Sequence, residues 1–279
     1  MNNASGRDHS NGAGDGGENR KGTALVTGAS GGIGADLAIL LAKDGHDLVL
    51  VARSAEKLDA LGGELTGQFG VRCVTLVADL STAEGPKEVV DALAARGLTI
   101  DVLVNNAGYG LYGPFSETSL DAELKMIQLN VASLTYLSKA ILSGMIARRR
   151  GKICNVASTA AFQPGPLMAV YYATKAYVLS FSEALSNELD GTGVTVTALC
   201  PGPTRTGFQA GAKMEESKLV RGKIMDSQTV ARIGYEGLMK GKRVVIPGVK
   251  NKLLAQSVRF LPRGMVTGLV RSAQERAES

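Results

Sequence analysis

Thr27-Gly28-Ala29-Ser30-Gly31-Gly32-Ile33-Gly34 stands between the apolar run Thr23 to Val26 and the amphipathic segment Ile33 to Asp44. A short strand, a turn with four glycines and a helix start let backbone N–H groups face a pyrophosphate at a helix N-terminus. The spacing is T-G-x-x-x-G-x-G, not G-x-G-x-x-G. The physical jobs are the same: a tight turn, close backbone approach to phosphate, and close packing of helix on strand. Gly28, Ser30, Gly32, Ile33 and Gly34 are therefore the candidate phosphate cradle.

Working outward, Asp47 to Ala52 is fully apolar after its first residue, as expected of a parallel strand covered on both faces. It ends at Arg53-Ser54. An acid about 20 residues beyond the glycines takes the ribose hydroxyl in NAD-selective folds, whereas an Arg nearby accepts a 2′-phosphate. Arg53 lies 19 residues after Gly34 with no acid at the strand end, so NADP(H) is the expected cofactor. The alternation then repeats, with helix Ser54 to Phe69, strand Arg72 to Ala78, helix Gly85 to Arg96 and strand Asp101 to Val104. Leu120, Leu124, Ile127, Val131, Leu134, Leu137, Ile141 and Met145 follow at helical spacing and predict one long buried stripe. Further strands are expected at Gly151 to Ala157, Val194 to Cys200 and Arg243 to Ile246, with irregular lid-like helices over Arg205 to Lys240. This order predicts an α/β fold with a doubly wound parallel sheet and right-handed crossovers.

The 279 residues, 44% hydrophobic and 20% charged, suit one large domain. Residues 1–20 are small and polar and predict a disordered tail. Residues 21–249 form the dinucleotide-binding and catalytic domain. Residues 250–279, a helical extension mixing apolar side chains with Arg and Lys, are expected to cover the substrate or make a subunit contact in preference to lying on a membrane surface. Net charge is +5 with no Trp and no basic-aromatic interleaving, which argues against nucleic acid as a partner. Arg148-Arg149-Arg150 with Lys152 reads as a solvated helix end. Cys73, Cys154 and Cys200 read as buried free thiols, His9 and His46 have no neighbours at ligand spacing, and no signal-peptide core is evident. A cytoplasmic protein is the expectation.

The candidate chemistry lies on Tyr171-Tyr172-Ala173-Thr174-Lys175. Tyr171 and Lys175 are one helical turn apart and share a face, while Ser158 closes a strand 13 residues earlier. A phenol with its ordinary pKa of about 10 is a poor acid-base group, and a nearby ammonium is expected to lower that value. Ser158 can hold a carbonyl oxygen. Tyr172 points about 100° away and is expected in the pocket wall. Asp79, past the third strand, can accept from an adenine amino group or cap the next turn. Asn130 reads as a satisfied core amide or as a group that holds water or perturbs its helix. Small residues at Asn105-Asn106-Ala107-Gly108 allow close ligand approach.

The ordered set of glycine turn, Asn-Asn-Ala-Gly, Ser158, Tyr-x-x-x-Lys and Pro201-Gly202 resembles the short-chain dehydrogenase/reductase family across residues 22 to about 210. The resemblance implies a single-domain, seven-stranded Rossmann sheet and a catalytic tetrad at Asn130, Ser158, Tyr171 and Lys175. It implies further cofactor contacts at Ser54, Asp79, Leu80, Asn106, Ala107, Gly108, Pro201, Gly202 and Thr204, with Tyr171 and Lys175 at the nicotinamide ribose. It implies hydride transfer with NADP(H), and Leu-Val-Ala-Arg-Ser is similar to the NADP-preferring bacterial subgroup. Tyr109, Leu111, Tyr112, Phe115, Phe162, Leu167, Met168, Tyr172 and Phe208 suggest an apolar pocket, hence a lipophilic ketone or 3-oxoacyl-type carbonyl. A homodimer or homotetramer is expected. The competing reading is a catalytically silent NADP-sensing regulator or scaffold on the same fold.

Overall fold

The computed structural model describes residues 6–9, 21–208, 212 and 224–275. In chain order its principal elements are β1 (Gly6–His9), β2 (Thr23–Thr27), α1 (Gly32–Lys43), β3 (Asp47–Ala52), α2 (Ala55–Phe69), β4 (Cys73–Val77), α3 (Gly85–Ala95), β5 (Ile100–Asn105), α4 (Leu120–Ile127), α5 (Leu134–Ala147), β6 (Gly151–Val156), α6 (Ala169–Glu188) and β7 (Val194–Leu199). They are followed by β8 (Thr204–Arg205), β9 (Met225–Asp226), α7 (Ser227–Met239), β10 (Val244–Val245), α8 (Val249–Ser257) and α9 (Arg263–Gln274). The main sheet runs β1-β4-β3-β2-β5-β6-β7-β10. Alternation of side chains explains the apolar strands: Ala24 and Val26 join Leu37, Leu41 and Leu58 in one core, while Leu25 turns to Leu93, Leu137 and Met145 in the other.

Seven strands are parallel, as the alternating pattern predicts. An eighth was not foreseen: Gly6–His9, inside the segment expected to be a disordered tail, pairs antiparallel with β4. The sheet edge offers it backbone partners, and Asp59 takes Arg7 at 3.0 Å while the Thr66 hydroxyl donates to the His9 carbonyl. The rest of that tail lies outside the described residues.

The predicted stripe over Leu120 to Met145 is not one buried face. A π turn at Gln128–Ser133 interrupts the helix between α4 and α5, and its wider turn rotates the phase of the side chains. Leu120, Leu124 and Ile127 are exposed, whereas Met126, Leu134, Leu137 and Met145 are buried. Leu120–Ala147 is long and apolar enough by composition to cross a membrane, yet its buried side chains pack into the core. The stretch expected as irregular helices also differs. Thr204–Arg205 pairs with Met225–Asp226, and Ser227–Met239 is one regular helix, capped by Asp226; residues 209–211 and 213–223 lie outside the described residues.

The basic run is a structural clamp and not a solvated end alone. Arg150 donates twice to one oxygen of Asp101, at 2.9 and 3.2 Å, and Arg148 donates to the Ile100 carbonyl. The other Asp101 oxygen accepts from the Thr23 backbone, tying the starts of β2, β5 and β6 together. The three cysteines are free and buried, as expected.

Candidate active site

The sheet order reverses at β2, whose neighbours are β3 and β5. The loops after β2 and β5 therefore part at a crevice, where ligands bind in sheets of this kind. Gly28 adopts φ +65°, and a Cβ there would meet the Asn106 amide and the Ala107 backbone. The Asn106 side chain donates to the carbonyls of Thr27 and Gly28 at 3.0 and 3.2 Å. Thr27 is the hub that sequence reasoning passed over: its hydroxyl accepts from the backbones of Asn106 and Ala107 and donates to the Val104 carbonyl. Gly31 stands at the N-cap of α1, which has no side-chain cap and no acid in its first turn. Its N-terminal N–H groups and dipole thus remain suited to an anion.

One cavity of about 810 Å³ runs from this turn to the Tyr-x-x-x-Lys helix. Its wall brings together Gly28, Ser30, Gly32, Ile33, Arg53, Ser54, Asp79, Leu80, Asn106, Ala107, Gly108, Ser158, Tyr171, Lys175, Pro201, Gly202 and Thr204. Two expected residues are not on that wall. Gly34 lies beneath the turn, where a Cβ would collide with the Gly28 carbonyl and the Asn106 amide, so its part is packing. Asn130 is the other. It is buried within the π turn; its Oδ1 accepts from the Tyr109 backbone, and its Nδ2 donates to the Tyr109 carbonyl and the Thr174 hydroxyl. That amide is a satisfied core residue that ties Tyr109 to Thr174, and it lies within the π turn.

At one end of the cavity stand Arg53 and Lys57, two exposed cations at the start of α2. Ser54 caps that helix by accepting from the Lys57 backbone. Lys57 carried no sequence signal beyond its place one turn into the helix. Asp79 accepts from both the backbone and hydroxyl of Ser81. Burial pushes its carboxyl up, but these bonds and Arg53 prevail and hold it below the usual carboxylate range. The capping role of Asp79 is thus present beside its place on the wall.

At the other end, Ser158 caps a 3₁₀ turn by accepting from the Ala160 backbone and also bonds the Tyr171 phenol. Lys175 donates to the Val156 carbonyl at 2.8 Å and sits 5.8 Å from the Tyr171 ring centre. The expectation that the lysine makes the phenol acidic is overturned in this state. Burial pushes Tyr171 up to about 12, against a smaller opposing effect of Ser158. Burial likewise brings Lys175 down to about 8. Desolvation is the largest influence on each group and penalises its charged form.

Of the apolar side chains expected around the substrate, Tyr109, Met168, Tyr172 and Phe208 line the cavity. Phe115 is 66% exposed, and Phe162 packs into a core cluster under β7. Leu111, Tyr112 and Leu167 are likewise off its wall; Tyr112 instead donates to the Gln274 carbonyl at 2.7 Å. Gln274 was not foreseen. It is fully buried at the end of α9, donates to the Tyr172 hydroxyl at 2.7 Å and reaches the cavity wall. Only the return of the C-terminal helices over the pocket brings it there, which no local pattern encodes.

The family profile described as short chain dehydrogenase matches residues 22–217. The chain is 40% identical to a very-long-chain 3-oxoacyl-CoA reductase of Anas platyrhynchos over 184 residues, 64% of this chain and 58% of that protein. It thus spans somewhat over half the length of that relative. Among solved structures, a short-chain dehydrogenase from Sphingobium yanoikuyae in complex with NADPH is 33% identical with a TM-score of 0.78, covering 92% of this chain and 99% of that one. The bulky-bulky ketone specific alcohol dehydrogenase from Comamonas testosteroni is 31% identical with a TM-score of 0.73, covering 86% and 92%.

Proposed function

Since this chain belongs to the short chain dehydrogenase family, we propose that it is an NADP(H)-dependent oxidoreductase reducing a lipophilic ketone or 3-oxoacyl-type carbonyl to a secondary alcohol. The observation that carries this reading is the Tyr171 phenol hydrogen-bonded to Ser158 on the wall of the cavity that begins at the uncapped N-terminus of α1. The residues fit a dinucleotide: a glycine turn too close for side chains, an N-terminus without acid, and Arg53 with Lys57 positioned for a 2′-phosphate. Asp79 would take the adenine end, and Asn106, Gly108, Pro201, Gly202 and Thr204 the nicotinamide end. When bound, NADPH supplies the hydride.

The protein's own part is binding, orientation and the proton. Ser158 and Tyr171 together hold the substrate oxygen, and Tyr171 gives its proton to that oxygen as charge develops there. A phenol held near 12 is fully protonated at neutral pH, and the alkoxide is a much stronger base than the phenolate, so transfer runs toward alcohol. Lys175, charged below about pH 8, presents its remaining N–H donors to the ribose and stabilises the phenolate left behind. A lipophilic substrate is supported by Met168, Tyr172 and Phe208 on the wall and by the names of the two relatives quoted above for oxoacyl and bulky ketone chemistry. A silent cofactor sensor needs no aligned phenol and hydroxyl.

The test is a panel of long-chain 3-oxoacyl thioesters and bulky ketones followed by NADPH absorbance. Turnover of at least one class by the wild type, lowered by roughly 10²- to 10⁴-fold in Tyr171→Phe, is expected. No oxidation of NADPH by any carbonyl, with NADPH bound, would favour the sensor reading.

A further inference from the structure

The segment after Pro247 has two faces. Inward, Asn251, Leu254 and Ala255 of α8 reach the cavity wall, and Val266 and Val270 of α9 are buried. Outward, Val249, Leu253 and Phe260 are 77%, 66% and 86% exposed. Val249 and Leu253 lie about 40° apart on α8 at 100° per residue, and Phe260 stands at the end of the 3₁₀ turn Val258–Phe260 that follows the helix. On α8 Lys250 lies on one side of this stripe and Lys252 on the other, and Arg259 stands beside Phe260 in the turn, all three exposed. From Ile246 to Gln274 the chain carries Lys250, Lys252, Arg259, Arg263 and Arg271 and not one Asp or Glu, and Glu275, which follows, takes Arg271 at 3.7 Å.

We propose that this face docks on the surface of an anionic phospholipid bilayer. An apolar stripe with cations on both sides matches the boundary between headgroups and acyl chains, where the stripe is buried and the cations meet lipid phosphates. Charge decides against a second copy of the chain as occupant. Two-fold pairing would set the same cations against each other, and Val249 to Phe260 holds no acid to answer them. The interruption at Pro262, which weakens the sequence pattern, falls after Phe260. Docking there would leave the inward residues of α8 on the cavity wall, and the inference does not depend on the reaction assigned to that cavity.

The experiment is flotation of the full chain with vesicles of equimolar phosphatidylglycerol and phosphatidylcholine, and with phosphatidylcholine alone, with sedimentation velocity in parallel. Flotation with the mixed vesicles only, declining as salt is raised, is expected. Leu253→Asp with Phe260→Asp should lower partitioning by at least about tenfold, the cost of facing charge to the acyl boundary. Lys252→Ala with Arg259→Ala should lower it about twenty-five-fold, fivefold per cation. Both should keep native circular dichroism and unchanged NADPH binding, since none of the four residues lines the cavity. If the Asp pair fails to fold, the Ala pair decides. Absence of flotation, equal flotation with phosphatidylcholine alone, equal flotation of the variants, or an oligomer that dissociates in the Asp pair would overturn the proposal, the last giving the face to a second copy.

Discussion

The ammonium of Lys175 lies 5.8 Å from the ring centre of Tyr171, and its hydrogen bond goes to the carbonyl of Val156. The pair shares a helix face and a cavity without the lysine dictating the phenol's proton affinity. Burial does that, and it leaves Tyr171 a donor. Tyr171→Phe should therefore lower carbonyl reduction by roughly 10²- to 10⁴-fold, the usual span for a positioned proton donor. NADPH affinity, read by fluorescence titration, should stay within a few-fold. Near-normal turnover in that variant would remove Tyr171 from the chemistry.

The pH profile should report Lys175. Its pKa is depressed to about 8, so it carries charge below that pH and loses it above, while Tyr171 stays protonated to about 12. Reduction rates should be level below pH 8 and fall above it. In Lys175→Met the inflection should vanish and the whole profile lie low. An unchanged inflection in the variant would assign the titration to another group.

Arg53 and Lys57 make the cofactor choice measurable. Both are exposed, so each contact with a 2′-phosphate is screened and the discount on charge-assisted bonds is large. Replacing both by Ala should raise the Kd for NADPH by roughly tenfold to a hundredfold and leave that for NADH nearly unchanged. Equal losses for both cofactors would contradict a 2′-phosphate at this end of the cavity.

Asn130 predicts a coupled loss. Its amide occupies the backbone N–H and carbonyl of Tyr109 and the hydroxyl of Thr174, which in turn donates to the Tyr171 carbonyl. Asn130→Ala orphans buried groups and should cost about 1–3 kcal/mol of stability, seen as a lower Tm. Because Tyr109 is on the cavity wall and Thr174 is bonded to Tyr171, kcat should fall as well.

Alkaline pH should destabilise the fold from about pH 9. Burial pushes Cys73 up to about 11 and Cys154 and Cys200 up to about 12 from an ordinary value of 9.0. A raised folded pKa means stability complete below the unfolded value and lost as pH climbs through the folded one. Lys175 acts oppositely between about 8 and its ordinary 10.5, but one lysine is outnumbered by three thiols. Tm should fall from pH 9 to 11, and Cys154→Ala with Cys200→Ala should flatten the decline.

How much was legible in the chain follows from the range of each interaction. The glycine turn, the fully apolar strands and the four-residue spacing of Tyr171 and Lys175 are local patterns, and local backbone geometry makes them readable: a turn needs its glycines, a doubly covered strand needs apolar side chains on both faces, and a helix repeats every 3.6 residues. From these alone the parallel sheet and its crevice could be laid out, while most of the cavity wall came from the resemblance to the short-chain dehydrogenase/reductase family. What only the tertiary structure decided depends on segments far apart in sequence. Thr27 became a hub because β5 returns beside β2, Gly6–His9 gained order because β4 presented an open edge, and Gln274 entered the wall because α9 folds back 102 residues from Tyr172. The proton affinities of Tyr171 and Lys175 belong to the same class, for they are set by how completely the surrounding chain removes water, and desolvation leaves no periodicity in a sequence to be read.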